Sequence, residues 1–162
     1  MPPALSPIRV ILKEMRGLAK NKRAYFDYII LEEIEAGIEL LGFETKAAKS
    51  GKIHLNGSYA RLIDGQIQLV GATIAPYQPN NTPKDYDPER TRRLLLTKKE
   101  IKYLIGKMNE AGLTVVPLRA YIKGRLVKVS IGLVRSKKQH DKREAIKKRD
   151  TDREIRSSLR VK

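Results

Sequence analysis

Apolar and polar positions alternate most cleanly where Val127, Val129, Ile131 and Leu133 are interleaved with Lys128, Ser130 and Gly132. That two-residue period predicts a strand over 126–134 with one face buried. A second strand is predicted over 113–122, joined to the first at Lys123 and Gly124. Pro117 inside it has no N–H for a ladder, which points to an edge or a bulge. Residues 58–63 and 66–70 flank Asp64 and Gly65, and Ile67 and Leu69 alternate with Gln66 and Gln68. This pattern predicts a hairpin with a type I′ turn. The aromatic and β-branched run 25–34, followed by Ala36, Gly37 and the apolar stretch 38–41, predicts one long strand, bent or bulged near Gly37.

The helical period is rarer. Thr97 and Glu100 form a capping-box pair, and Ile101, Leu104, Ile105 and Met108 behind them share one helix face that Gly112 ends. A short helix over 43–50 is stopped by Gly51. Near the start, Ile8, Ile11, Leu12, Met15 and Leu18 have the spacing of a short amphipathic helix in a variable N-terminal arm, 1–20. Pro76, Pro79, Pro83 and Pro88 mark 76–90 as an exposed loop. The expected fold is mainly β with helices: an OB-type antiparallel barrel of five to six strands and one to three helices over 21–134. Closure removes the unpaired edges of so many short strands. A split sheet with helices packed on one face is the competing arrangement.

The pattern changes at residue 135. Through 135–162 basic residues recur at almost every turn, with acidic residues between them and few large apolar ones. Such a segment buries too little to offset its ordering entropy, so this basic C-terminal tail is expected to be disordered when free. It contains no proline or glycine, and Glu144 stands four residues before Lys148 and Asp152 four before Arg156, as helix-supporting pairs do. It is therefore expected to be helical when bound. Its partner must be a polyanion. With 34 Lys and Arg against 18 Asp and Glu, the formal net charge is +16, which favours nucleic acid, and RNA in particular.

Other chemistry is hard to find. There is no cysteine, which excludes disulfides and cysteine–zinc sites and fits the cytoplasm. No apolar run approaches the ~20 residues of a membrane span, and Lys13, Glu14 and Arg16 interrupt the only candidate signal segment, so no membrane association is expected. His54 and His140 are far apart, and an isolated histidine is far more often a surface residue than a ligand. Ser58, Ser130 and Ser136 lack a histidine in a triad-like pattern, no phosphate-cradling glycine loop occurs, and Asp85, Asp87 and Glu89 have no second acidic cluster. No enzyme activity, metal or cofactor is expected. What the chain does carry is cations interleaved with aromatics: Asn21, Lys22, Arg23, Tyr25, Phe26 and Tyr28; then Lys46, Lys49 and Lys52 with Tyr59 and Arg61; then Arg90, Arg92 and Arg93. Cations fix phosphates and aromatic faces stack on unpaired bases.

Several of these pieces, in order, resemble the SsrA-binding protein (SmpB) family: Asn21-Lys-Arg-Ala24, Glu35-Ala-Gly37, Lys46 through Gly51, Ser58-Tyr-Ala60, Arg92-Arg-Leu-Leu-Leu96, Val115-Val-Pro-Leu118 and, above all, Lys137-Lys-Gln-His-Asp-Lys-Arg143. The resemblance implies a bacterial OB-type barrel that binds the tRNA-like domain of transfer-messenger RNA (tmRNA). It implies indirect partnership, through tmRNA, with alanyl-tRNA synthetase and elongation factor Tu. It also implies delivery to ribosomes stalled on messages without a stop codon, with the protein standing in for the anticodon half of a tRNA. The tail would enter the empty message channel beside the small-subunit decoding centre. By motif, Asn21 and Glu35 match positions important for tmRNA binding, and Arg93, Leu95 and Lys128 match others on the RNA-facing side. His140, Asp141, Lys142 and Arg143 match the decoding-centre motif, with Lys137, Lys138, Lys147, Lys148, Arg149 and Arg153 as further tail cations. Two positions depart from the pattern. Phe26 stands where many members have histidine, which keeps stacking and loses a hydrogen bond. Ser136 replaces a glycine before the lysine pair, where a positive φ would strain it. The expected protein is a monomer. A ribosomal or ribosome-assembly protein is the alternative, and an RNA-processing enzyme a more distant one.

Overall fold

The computed structural model describes residues 15–160. Its strands are β1 (Met15–Lys20), β2 (Tyr28–Ile38), β3 (Ile53–His54), β4 (Tyr59–Ile63), β5 (Gln66–Val70), β6 (Thr73–Ile74), β7 (Arg92–Leu95), β8 (Leu113–Lys123) and β9 (Leu126–Ser136). Its helices are α1 (Lys22–Asp27), α2 (Gly42–Lys49), α3 (Lys98–Met108) and α4 (Gln139–Arg160). The main sheet runs β1-β8-β4-β5-β7-β2-β9, and β9 pairs back onto β8. Strands β8, β4, β5, β7, β2 and β9 thus form a closed antiparallel ring, and the split-sheet alternative falls away.

The interior of the ring is filled by the inward positions of each strand, among them Ile67, Leu69, Leu94, Val115, Val129 and Ile131. Helix α3 adds Leu104, with Ile101, Ile105 and Met108 packed around it. Its capping box forms as expected: the Glu100 amide donates to Thr97 Oγ1 at 3.2 Å and the Thr97 amide to Glu100 Oε1 at 3.4 Å. The hairpin turn has φ of 51° at Asp64 and 75° at Gly65, the left-handed pair that the type I′ geometry requires.

Three expectations need correction. The run 25–34 is not all strand, because Lys22–Asp27 is helical. Asn21 starts that helix: its Oδ1 accepts from the Ala24 amide at 3.1 Å, and its Nδ2 donates to the Pro117 carbonyl at 2.8 Å. A second apolar cluster of Ala24, Val116, Leu118 and Val134, with Tyr25, Tyr28 and Ile30, holds α1 against the outer side of β8 and β9. Gly132 makes room there, since a Cβ at that position would lie 2.8 Å from Leu118 Cδ1.

Met15 and Leu18 lie in a strand rather than in an amphipathic helix. Strand β4 meets β8 at Ala60–Val115, which leaves the same edge of β8 open further on, and β1 pairs there from Met15–Lys123 to Lys20–Arg119. Ile8, Ile11 and Leu12 lie outside the described residues. Finally, the β2 bulge falls between Ile30 and Glu32 and not at Gly37. Gly37 is instead where β2 faces Lys128 of β9 on one side and Leu95 of β7 on the other. Strand β2 stops at Ile38, short of the apolar pair Leu40 and Leu41. The bulge expected at Pro117 is present, between Pro117 and Arg119 in the β8–β9 ladder. Ser136 is the last residue of β9, opposite Tyr28, and has no positive φ.

Candidate nucleic-acid interface

The expected RNA-binding residues fall into separate groups. The first is built on α1. Asn21 itself is only 2% exposed and its side chain is committed to the two bonds that start the helix, so it positions its neighbours instead of facing a ligand. Lys22 and Arg23 are exposed, Phe26 and Tyr28 half-buried. Tyr59 on β4 is 42% exposed. Arg23, Tyr28, Ser58 and Tyr59 line a cleft of about 270 Å³. Beside it, Lys20, Lys22, Arg23, Tyr25, Phe26 and Lys137 line an open groove of about 560 Å³. Cations and aromatic faces therefore alternate along one surface, the arrangement that holds phosphate and stacks on unpaired bases.

The second group lies where β2 passes from β9 to β7. Glu35, Arg93, Leu95 and Lys128, distant in sequence, line one cleft of about 390 Å³. Leu95 is 46% exposed, an apolar contact beside a guanidinium. Glu35 is the one carboxylate among the sequence-predicted residues of this cleft, and it is held by neighbours. It accepts from the Tyr121 hydroxyl at 2.6 Å and from Lys123 Nζ at 3.2 Å. The Tyr121 bond holds the Glu35 carboxyl below its usual range against the opposing effect of burial, and Lys123 and Lys128 act in the same direction. Burial and then the Glu35 bond push the Tyr121 phenol well up. Glu35 thus orders a cation at the rim. Tyr121 and Lys123 escaped sequence reasoning, because no motif marks them and the contact reaches from β8 over β9 to β2.

Arg92 is withdrawn from the interface. In β7 the burial alternates, so Arg93 faces out while Arg92 is 1% exposed. Arg92 donates to Glu44 through Nε at 2.8 Å and Nη2 at 2.5 Å, and to the carbonyls of Ala72 and Pro88 at 2.9 Å. Glu44 is fully buried, and also accepts from Arg90, from the Tyr86 hydroxyl at 2.9 Å and from the Leu41 amide at 2.9 Å. Burial alone would raise its pKa, yet the bonds from Arg90, the Leu41 amide and Arg92 hold it at about 2. Lys46 and Lys49, in the last turn of the same α2, are exposed and half-buried respectively.

The tail helix starts beside α1. The Lys137 amide donates to the Asp27 carbonyl at 2.9 Å, and Lys137 Nζ to the Tyr25 carbonyl at 3.3 Å. Lys142 pairs with Asp27 at 3.3 Å, and the Arg149 guanidinium sits 5.4 Å from the Phe26 ring centroid. Lys138, Arg143, Lys147, Lys148 and Arg153 are exposed. The side chains of His140 and Asp141 lie outside the described residues. His54 is exposed on β3. Among the described residues no group of three or more His, Cys, Asp or Glu is placed to hold a metal ion, and no helix is long and apolar enough to cross a membrane.

Comparison with known proteins covers nearly all of the described residues. The SmpB protein family model matches residues 18–161, from β1 into the tail. The SsrA-binding protein of Carboxydothermus hydrogenoformans is 46% identical over 145 residues, covering 90% of this chain and 97% of its own. That of a Synechocystis species is 44% identical over 148 residues, covering 91% and 96%. A chain of a solved structure described as "tmRNA-SmpB: a journey to the center of the bacterial ribosome" is 44% identical, covers 78% of this chain and 92% of its own, and superposes with a TM-score of 0.62. With barrel, α1 and tail all inside the matched span, the chain belongs to the SmpB protein family.

Proposed function

We propose that this chain binds tmRNA and serves in trans-translation, the rescue of stalled ribosomes. The relatives it matches are SsrA-binding proteins, and the structural match pairs tmRNA with SmpB on the ribosome. The observation that carries the reading is the convergence of Glu35, Arg93, Leu95 and Lys128 in one cleft of the barrel. The barrel, 21–134, recognises the tRNA-like domain, with Lys22, Arg23, Lys46, Lys49, Arg93 and Lys128 on phosphates and Phe26, Tyr28 and Tyr59 on bases. The protein takes the place of the anticodon half of a tRNA. The tail, 135–162, enters the empty message channel, where its cations meet ribosomal RNA and His140 and Asp141 reach the decoding centre. Alanyl-tRNA synthetase and elongation factor Tu join through the RNA. The protein acts in the cytoplasm as a monomer and catalyses no reaction of its own.

The test is a gel shift of the full chain with a tmRNA transcript, competed by bulk tRNA, together with sedimentation of ribosomes with and without tmRNA. The expected result is selective binding to tmRNA and tmRNA-dependent loading. Equal competition by tRNA, or stable ribosome association without tmRNA, would instead mark a ribosomal or assembly protein.

A further inference from the structure

A further cleft, of about 300 Å³, lies between α2 and the loop that follows β6, apart from the clefts described above; of its lining only Lys46 has been given a place in RNA binding. Phe43 and Lys46 form one side, and Tyr77, Gln78, Asn81 and Thr82 the other. Its size is at the lower end for small-ligand clefts, enough for one small planar group and too small for a helix.

The loop is fixed at both ends. At its start Lys52 Nζ donates to the carbonyls of Pro76 at 3.4 Å and Tyr77 at 3.3 Å, and stands 5.9 Å from the Tyr77 ring centroid. The next residues form a short 3-10 turn, Pro79–Asn81, in which Thr82 Oγ1 donates to the Gln78 carbonyl at 2.8 Å. Further on, Tyr86 is clamped by its hydroxyl to Glu44 and to the Ile74 carbonyl, both at 2.9 Å, and its ring meets Phe43 edge-on at 4.7 Å. The buried Glu44 thus ties α2 to the loop, so the cleft is preformed.

Beyond the Lys52 contact on Tyr77 and the bond between Asn81 and Gln78, the cleft keeps further capacity for a ligand. Tyr77 is 38% exposed although it is the largest ring at the cleft mouth. Asn81 Nδ2 donates to Gln78 Oε1 at 2.8 Å, which joins the two amides and leaves Gln78 Nε2 as a donor and Asn81 Oδ1 as an acceptor. A ring face, an adjacent donor and acceptor, and a lysine are the components that recognise a nucleotide: stacking, base-edge hydrogen bonds and phosphate. We propose that this cleft seats one unpaired nucleotide of an RNA, its base on Tyr77, its edge toward Gln78 and Asn81, and its phosphate toward Lys46. The assignment rests on the RNA-binding reading and adds a nucleotide subsite to it.

The test uses the full chain and a tmRNA transcript with 5-iodouridine in place of uridine. Crosslinks are mapped by mass spectrometry, and affinity is measured for Tyr77→Ala, Tyr77→Phe and Lys46→Ala. Stacking on one ring predicts that Tyr77→Ala loses about tenfold in affinity while Tyr77→Phe keeps it. The salt slope should stay the same for Tyr77→Ala and fall by about one for Lys46→Ala. Thermal melting of Tyr77→Ala should match the parent, since the ring is exposed. Wild-type affinity in Tyr77→Ala, or crosslinks that all map outside the loop, overturns the subsite and leaves tmRNA binding intact. Failure of the parent protein to bind the transcript at all defeats the wider reading and this one with it.

Discussion

Arg92 of β7 and Glu44 of α2 meet with both side chains fully buried, Nη2 to Oε2 at 2.5 Å. Removing one member leaves the other charged and without water. Arg92→Ala should therefore cost about 3–5 kcal/mol of folding stability, measured by urea unfolding. A loss under about 1 kcal/mol would mean that Arg90 and Tyr86 alone satisfy the carboxylate.

The same pair sets a pH dependence. The Glu44 carboxyl is held at about 2, below its usual 4.5, so its contribution is present above pH 4.5 and is lost as the pH falls toward 2. A depression of that size corresponds to about 3 kcal/mol. In Glu44→Gln the acid limb of the stability curve should be shallower by about this amount, as read from urea midpoints between pH 5 and pH 2.

Binding should be electrostatic. If Lys22, Arg23, Lys46, Lys49, Arg93 and Lys128 share roughly six phosphates, tmRNA affinity should fall about a thousandfold from ~50 to ~200 mM salt. Arg93→Ala should reduce the slope by about one, since its ion pair with Glu39 is long, 3.9 Å, and exposed. A flat salt response would contradict the assignment.

Glu35 makes a less intuitive prediction. Its bond from Lys123 is exposed, but its bond from the buried Tyr121 is partly buried, so Glu35→Ala should cost about 1–3 kcal/mol of stability. Affinity for tmRNA should also drop, although a negative charge has been removed, because Lys123 is no longer held. Tighter binding by Glu35→Ala would show that the carboxylate only repels.

The tail can be separated from the barrel. Arg135 and Ser136 still pair with β2, so the cut belongs after Ser136 and not after Val134. The shortened protein should fold and bind tmRNA but fail in reconstituted alanine transfer on stalled ribosomes. A peptide spanning 139–162 should show little helix by circular dichroism, since Ile146, Ile155 and Leu159 of α4 are exposed and give it little to pack on. Full tagging without the tail, or strong helicity in the peptide, would refute the division of labour.

Local chemistry made part of this fold legible. The Asp64–Gly65 turn, the Thr97–Glu100 box and the alternation from Val127 to Leu133 each carry their own signal. Helix α1 was concealed because Tyr25 and Phe26 read as strand, continuous with the real strand that starts at Tyr28, and only the Asn21 cap announced a helix. Strand β1 depends on an edge that exists only once β4 has left β8. At the interface, Arg92 was expected beside Arg93 among the RNA-binding cations; the two-residue period of β7, which puts Arg92 on the face of Leu94 and Arg93 on the other, went unread. The Glu44 clip was not legible, because Leu41 gives no capping signature and its partners come from a distant loop.

Ring closure pairs Tyr28 with Ser136, far along the chain, and β1 then adds Met15 beside Lys123. Such long-range pairings form late and slowly. During synthesis β1 and β2 leave the ribosome long before their partners exist. A chain broken off before Leu126 has no β9, so β2 and β8 keep open edges and Ala24 loses Val134 beneath it. An interrupted message for this protein therefore yields an unclosed sheet, exposed to proteolysis and aggregation, and not a shorter working version.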